Sequence, residues 1–473
     1  MDYAYRHTKV IFTIGPATNG EEVLEQLIRH GVDICRLNMA HASHDWTRET
    51  VSRVREVCAK VGRQIAFMMD VKGPEIRTGP VDEPFQLERD DLFDFYTTAE
   101  AQATDGVPGV KVNYPKIAED VKPGDTLLVD SGLIRMRIEA IHPDRVRCNV
   151  RIGGEIGSRR HINLPGVHVK LPALTEKDGK DIAVGLELGI EFYALSFVRS
   201  PDDLDILRSY LRERGSNARI IAKIEDQTAV TNLEDIIRAS DGLMIARGDL
   251  GIEIPYETLP IVQTRALDAC HRIGRPVIVA THMLESMITQ PMPTRAEITD
   301  VATAVTAQAD CVMLSGETTV GKYPVECVDV FNRISKSVED LDGPAYNVNL
   351  RLKSPKEHLL RSAVTLADDL RDSAIVVFTR SGHLARTLSA LRPRRRPIYG
   401  FTDVQDTFAQ MLILWGVEPF LMDFSDDTDT TIFNAFARLK ERNWVHDGQR
   451  IVLISSLRSA DRYVDSIQIR EVD

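Results

Sequence analysis

The chain has 473 residues, 43% hydrophobic and 27% charged, proportions of a globular protein with room for about two to four domains. Its 58 Lys and Arg against 70 Asp and Glu leave a net charge of −12, which argues against general affinity for nucleic acid and requires any anionic ligand to be held by local charge. No segment approaches membrane-spanning length, the amino terminus lacks the pattern of a secretory signal, and the six cysteines contain no C-x-x-C pair, so neither a membrane nor nucleic acid is expected as a partner and a reducing cytoplasm is the expected setting.

In chain order, short apolar runs at 9–14, 33–37, 64–70, 192–197, 219–224, 242–246, 276–280 and 310–314 predict eight strands. Their hydrophobicity is continuous rather than alternating, as in a parallel sheet covered on both faces. Amphipathic stretches lie between them, for example 21–30 before Gly31 and 201–214 before Gly215, each glycine marking a helix stop. Eight strand-helix repeats are the arithmetic of a (β/α)8 TIM barrel. The G-x-G-x-x-G turn that usually announces an open doubly wound sheet is not found.

Almost a hundred residues separate the third strand from the segment before the fourth. Within them 85–96, 126–129, 133–141 and 146–152 read as strands divided by turn residues, predicting an all-β lid domain inserted at the barrel's carboxyl rim. After about Asp340, strands at 374–379, 397–401 and 450–455 alternate with helices at 355–371, 382–391, 404–415 and 428–441, predicting a smaller α/β domain. The expected division is barrel 1–70, lid 71–168, barrel 169–340 and carboxyl-terminal α/β domain 341–473.

Active sites of such barrels gather at the carboxyl ends of the strands. There this chain places Arg36 and Asn38, Asp70 and Lys72, Lys223 and Glu225, Arg247 and Asp249, Thr281, and Ser315 with Glu317. Any one of these alone is more often a cap or a surface ion pair, but the set must converge on one mouth. Glu225 and Asp249, two acids without a thiol partner, suit Mg²⁺ or Mn²⁺. Arg36, Arg77 and Lys223 suit a phosphate. A metal and fixed cations around a phosphoryl group are the electrostatic requirements of phosphoryl transfer, and Thr281 and Ser315 could relay a proton. Three other patterns carry less: Arg247-Gly248-Asp249 as an adhesion signal needs an extracellular loop tip, His41 and His44 are more often polar loop residues than a metal pair, and the basic run 392–397 reads as a solvated loop, subunit contact or phosphate site.

The stretches TKVIFTIGPAT (8–18), CRLNMAHAS (35–43), DVKGPEIRTG (70–79), AKIED (222–226), MIARGDLGIEIP (244–255), ATHMLESM (280–287), PTRAE (293–297) and VMLSGET (312–318) together resemble the pyruvate kinases. The likeness runs in order through Tyr323, and the last domain matches in size and alternation. It implies transfer of the phosphoryl group of phosphoenolpyruvate to ADP, giving ATP and, after protonation of the enolate, pyruvate. It also implies a homotetramer and regulation by a phosphorylated effector. By the same resemblance Glu225 and Asp249 would ligate the divalent ion, Lys223 would steady the moving phosphoryl group and enolate oxygen, and Arg36 would hold the phosphate. Backbone N–H groups of Gly248 and Asp249, with the Thr281 hydroxyl, would receive the substrate carboxylate; Ser315 and Glu317 would belong to the proton path; Asn38, His41, Arg77 and Lys177 match nucleotide-side positions.

Several positions depart from the family pattern. Ala40 stands where a hydroxyl would ligate K⁺ and Val71 replaces a usual Thr that offers its carbonyl, while Asn38, Asp70 and Glu75 are those of potassium-dependent members. Asp226 and His282 replace a common Asn and Gln. Thr379, Ser381 and Gly382 resemble part of an effector phosphate loop, but His383-Leu384 replaces a more polar pair, and 457–462 lacks the glycine-rich form that closes over a sugar bisphosphate. The alternative functional reading is a paralogue that binds phosphoenolpyruvate without catalysis, or acts on a related substrate.

Overall fold

A computed structural model describes residues 5–98, 101, 105–341, 343–394, 396–459 and 462–472, with the side chains of 456–459 and 462–463 excepted. Eight parallel strands close a barrel: β1 (Lys9–Thr13), β2 (Ile34–Asn38), β3 (Ala66–Val71), β4 (Phe192–Leu195), β5 (Arg219–Ile224), β6 (Gly242–Ala246), β7 (Val277–Ala280) and β8 (Cys311–Leu314), with β8 pairing back onto β1. All the residues of β1, β3, β4, β6, β7 and β8 are buried, which explains their unbroken apolar runs. Alternate side chains serve two cores. Val10, Phe12, Cys35, Leu37, Phe67 and Met69 pack outward against the helices, whereas Ile11, Ile34, Met68, Phe192, Ile221 and Met244 join an inner core.

That inner core is continuous with Leu412, Ile413 and Leu414, so the carboxyl-terminal domain covers the amino-terminal end of the barrel. Its sheet runs in the order β11 (Val417–Leu421), β10 (Ile398–Thr402), β9 (Ser373–Phe378), β12 (Arg450–Ser459), β13 (Arg462–Glu471), parallel except for the final antiparallel pair. The strands β11 and β13 are additions to the predicted set. Within the basic run 392–397 two arginines turn inward and Arg394 is exposed: Arg392 donates to Asp310 at 2.8 Å and lies 5.0 Å over the Trp415 ring, while Arg396 donates to the carbonyls of Ala367 and Leu370. Arg395, in the same run, lies outside the described residues.

Between β3 and β4 the chain forms a seven-stranded sheet and a separate two-stranded ladder. The run expected as one strand at 85–96 is two, Phe85–Leu87 and Leu92–Tyr96, because the chain turns through Asp90 in a left-handed conformation (φ 73°). Short strands at Ile76–Arg77, Gly109–Lys111, Gly154–Ile156 and His161–Asn163 complete the two sheets. Asn163 Nδ2 donates to Glu253 Oε1 at 2.7 Å, tying the inserted segment to the barrel rim, and Arg199 reaches the carbonyls of Val169 and Leu171 where the chain returns to the barrel.

Glu191, immediately before β4, accepts a hydrogen bond from the Phe67 amide at 2.8 Å, and burial pushes its carboxyl up to about 7 from 4.5. A raised folded-state value favours the protonated form, so this contribution is complete below 4.5 and is lost as pH rises through 7. Glu191→Gln is therefore expected to stabilise the chain at pH 8 by about 1–2 kcal/mol, discounted for the residue's partial exposure, with no gain at pH 4. Thermal denaturation at the two pH values checks this; an equal effect at both would contradict it.

Candidate active site

The carboxyl ends of β2, β3 and β5 deliver a buried charge cluster. Pairing of β2 with β3 sets Asn38 beside Asp70. Arg36 Nε donates to Asp70 Oδ2 at 2.7 Å, with Nη1 on the Thr13 hydroxyl at 3.0 Å. On the other side Lys223 Nζ stands 3.1 Å from Asp70 Oδ1, 2.8 Å from Ser196 Oγ and 2.8 Å from Glu225 Oε1. Burial works to raise the Asp70 carboxyl, but Arg36 and Lys223 outweigh it and hold the group below its usual value. Burial likewise disfavours the Lys223 ammonium, and Asp70 and Glu225 overturn that, so Lys223 is firmly charged.

Glu225 is 1% exposed. Burial raises its carboxyl, Lys223 opposes this, and Asp249 adds to the rise; the Phe197 amide donates to Oε2 at 2.6 Å. Two neighbouring carboxylates with one shared ammonium form an electrostatic deficit that a hard divalent cation would relieve. Among the described residues no group of three or more His, Cys, Asp or Glu could hold a metal ion. His41 and His44 do not form a pair: His41 is exposed, and His44 Nε2 lies 2.8 Å from Asp181 Oδ1.

Asp249 lies in the first turn of the helix Arg247–Glu253, which begins directly after β6. Arg247 turns away from the mouth, donating to Asp300 at 2.7 Å and to the Thr281 carbonyl at 2.6 Å. Thr281 and His282 both adopt left-handed conformations, φ 68° and 54°, a strained stretch of the kind that persists where the surroundings over-determine it. The Thr281 hydroxyl donates to the Ala280 carbonyl at 2.6 Å and accepts the Gly248 amide at 2.8 Å. The Gly248 N–H expected to face a substrate carboxylate is thus engaged by Thr281 in this state. After β8, Glu317 is fully buried and accepts the amides of Ser315 (2.7 Å) and Leu284 (3.0 Å), while the buried Ser315 hydroxyl has no hydrogen-bond partner among the described residues.

The residues matched to the nucleotide side lie around the β2 and β3 loops. Asn38 Oδ1 accepts the Ala40 amide at 3.1 Å, and Lys177 Nζ bonds the Met39 carbonyl at 2.8 Å and Asp181 at 2.6 Å. Arg77 donates to Glu75 at 2.7 Å; Lys72 shares the same carboxylate, and against burial the two cations keep it below its ordinary value. Val71 ends β3 fully buried. Thr379, Ser381 and Gly382 sit apart, in the carboxyl-terminal domain: Thr379 is buried, Ser381 Oγ accepts the His383 amide at 3.4 Å, and Gly382 (φ 73°) precedes the helix His383–Ala390. Of the loop expected at 457–462, residues 460–461 lie outside the described set; on either side the backbone continues as β12 and β13, paired from Ser459 with Arg462.

Two contributors were missed in the sequence. Ser196, just past β4, joins Lys223 to Asp70, and Thr13, ending β1, anchors Arg36. Both sit at strand ends, the signal that identified the rest of the rim. Thr281→Ala is expected to lower kcat/KM about tenfold to a hundredfold with Ser restoring most of it, because the hydroxyl holds the start of the Arg247–Glu253 helix. Steady-state kinetics of the two variants decides; an Ala variant as active as the parent would remove Thr281 from the site.

Two family models match the chain: "Pyruvate kinase, barrel domain" over residues 5–328 and "Pyruvate kinase, alpha/beta domain" over 357–469. The chain is 39% identical to plastidial pyruvate kinase 2 of Arabidopsis thaliana across 99% of its own length and 81% of the relative. It is 36% identical to the pyruvate kinase of Clostridium acetobutylicum, over 95% of this chain and 96% of that one. A crystal structure of a pyruvate kinase from Cryptosporidium parvum superposes with a TM-score of 0.93 at 32% identity, covering 99% of this chain and 96% of the other.

Proposed function

The chain belongs to the pyruvate kinase family, and on that footing we propose that the cluster around Lys223 carries phosphoryl transfer from phosphoenolpyruvate to ADP, with protonation of the enolate to pyruvate. The observation that carries this reading is Lys223 held between Asp70 and Glu225, 3.1 and 2.8 Å away, one barrel strand from Asp249. Lys223 offsets charge on the phosphoryl group in transit and on the enolate oxygen, and Arg36 holds the phosphate. Glu225 and Asp249 would hold Mg²⁺ or Mn²⁺, which supplies a Lewis acid toward phosphoryl and carboxylate oxygens. Asp249 N–H and the Thr281 hydroxyl, with Gly248 N–H once Thr281 releases it, receive the substrate carboxylate. Ser315, whose buried hydroxyl is unpartnered among the described residues, lies on the proton path with Glu317 positioning its backbone. Asn38, His41, Arg77 and Lys177 face the nucleotide.

A monovalent ion is dispensable in this reading. Ala40 offers no oxygen from its side chain, Asn38 Oδ1 is taken by the Ala40 amide, and Asp70 is already neutralised by Arg36 and Lys223. Cytoplasmic placement fits six free, buried cysteines, and no helix among the described residues is long and apolar enough to cross a membrane. Assembly as a homotetramer and an effector at Thr379, Ser381 and Gly382 enter through the family resemblance. Phosphorus NMR tests the reading: loss of phosphoenolpyruvate should match gain of the ATP γ-phosphate, at rates within about twofold when K⁺ is replaced by tetramethylammonium at equal ionic strength. Failure of the two signals to match would refute the transfer, and turnover only with K⁺ would refute the monovalent assignment.

A further inference from the structure

At the opposite end of the barrel from the Lys223 cluster, a cavity of about 720 Å³ opens between the barrel base and the carboxyl-terminal domain. Its walls come from the end of the helix Leu233–Ala239, the end of Leu259–Ile273, the connecting segment 349–353, and the helix His383–Ala390. Gly274, left-handed at φ 77°, terminates the second of these helices and turns the chain so that Arg275 reaches the cavity just before β7.

Six cations line it: Arg238, Arg272, Arg275, Arg351, Lys353 and Arg386. Two carboxylates share the lining with them, and both are occupied, while Asp268, outside the lining, pairs with Arg272 at 2.9 Å. Glu234 is shared by Arg238 at 2.7 Å and Arg272 at 3.0 Å, and Glu357 accepts the Lys353 amide and lies 3.2 Å from His383. Arg275 spends one donor on the Arg238 carbonyl at 3.2 Å. The side chains of Arg351, Lys353 and Arg386 make no hydrogen bond or ion pair with the described residues.

Arg386 is the most informative of them. Burial, then the neighbouring Arg219 and Arg275, pull its guanidinium down to about 10, with Asp241 only partly compensating. Holding unpaired cations together in a partly buried space costs free energy that an anion would recover. The volume falls in the range of small-molecule sites, and several forked guanidinium groups suit a doubly charged phosphate better than a single carboxylate. The sequence segment resembling an effector loop, Thr379 to Gly382, does not line this cavity.

We propose that this cavity binds a small phosphorylated metabolite, clamped between Arg386 of the carboxyl-terminal domain, Arg275 of the barrel, and Arg351 and Lys353 of the segment joining them. The site is separate from the phosphoryl-transfer cluster, so it stands or falls independently of the reading above.

The test is calorimetric titration of the full chain in metal-free, low-salt buffer with three probes: a hexose monophosphate, AMP and inorganic phosphate. One of the organic phosphates is expected to bind at one site per chain, more tightly than inorganic phosphate, and the tighter of the two identifies the ligand as sugar or nucleotide. Arg386→Ala should weaken it at least about tenfold. The double replacement Arg351→Ala with Lys353→Ala should do the same; because both residues are exposed, it remains informative if Arg386→Ala disturbs folding. Lys223→Met should leave the binding unchanged. No binding by either organic phosphate, inorganic phosphate binding as tightly as they do, or binding indifferent to the cavity substitutions would overturn the proposal.

Discussion

Lys223→Met is expected to lower the rate of pyruvate formation by at least about 10³-fold while the chain stays folded. The ammonium lies within reach of both Asp70 and Glu225, and its charge is secured by them rather than by solvent. Met preserves the length and apolar stem of the side chain and removes the charge. Asp70 keeps Arg36 at 2.6 Å, and Glu225, which keeps the Phe197 amide and whose carboxyl burial already raises, can take up a proton in place of its lost partner. Circular dichroism should therefore be unchanged while turnover collapses. Unchanged turnover in a folded variant would defeat the mechanism.

Glu225→Gln should raise the Mg²⁺ concentration needed for half-maximal rate at least about tenfold and lower kcat about a hundredfold. Gln can still accept the Phe197 amide, so the backbone after β4 is preserved and the change is chiefly one of charge. Mn²⁺ binding followed by water-proton relaxation provides a readout that does not depend on turnover. Normal Mn²⁺ affinity in this variant would show that the divalent ion is held elsewhere.

The barrel was readable because each of its strands is an apolar run ended by a charge, hydroxyl or turn, and burial on both faces leaves little room for other patterns. Where the physics differed, the reading failed. β11 has the sequence VEPFL, in which Glu418 and Pro419 interrupt the run; Glu418 is nevertheless buried and lies 3.8 Å from the Lys9 ammonium. The edge strand β13 carries polar residues at close intervals, the usual character of an unpaired flank, and offers no continuous run to find. The strand expected at 85–96 concealed a turn because its left-handed residue is Asp90 rather than glycine.

For the site, strand ends identified Lys223, Glu225, Asp249 and Thr281, whereas their partners depended on the closed barrel. The hydrogen bond between Thr281 and the Gly248 amide spans the loops after β6 and β7, and that between Ser196 and Lys223 spans β4 and β5. Periodicity gives the strands but not the rotation of side chains at their ends. The cavity beneath the barrel was invisible for the same reason: its cations are scattered from Arg238 to Arg386 and meet only when the carboxyl-terminal domain docks.

The most direct measurement is the initial rate of pyruvate release from phosphoenolpyruvate with ADP and Mg²⁺ each omitted in turn. The Lys223, Glu225 and Asp249 site predicts release only when both are present. Release without ADP would mean hydrolysis rather than transfer, release without Mg²⁺ would remove the divalent ion from the chemistry, and no release under any condition from folded protein would contradict the kinase reading itself.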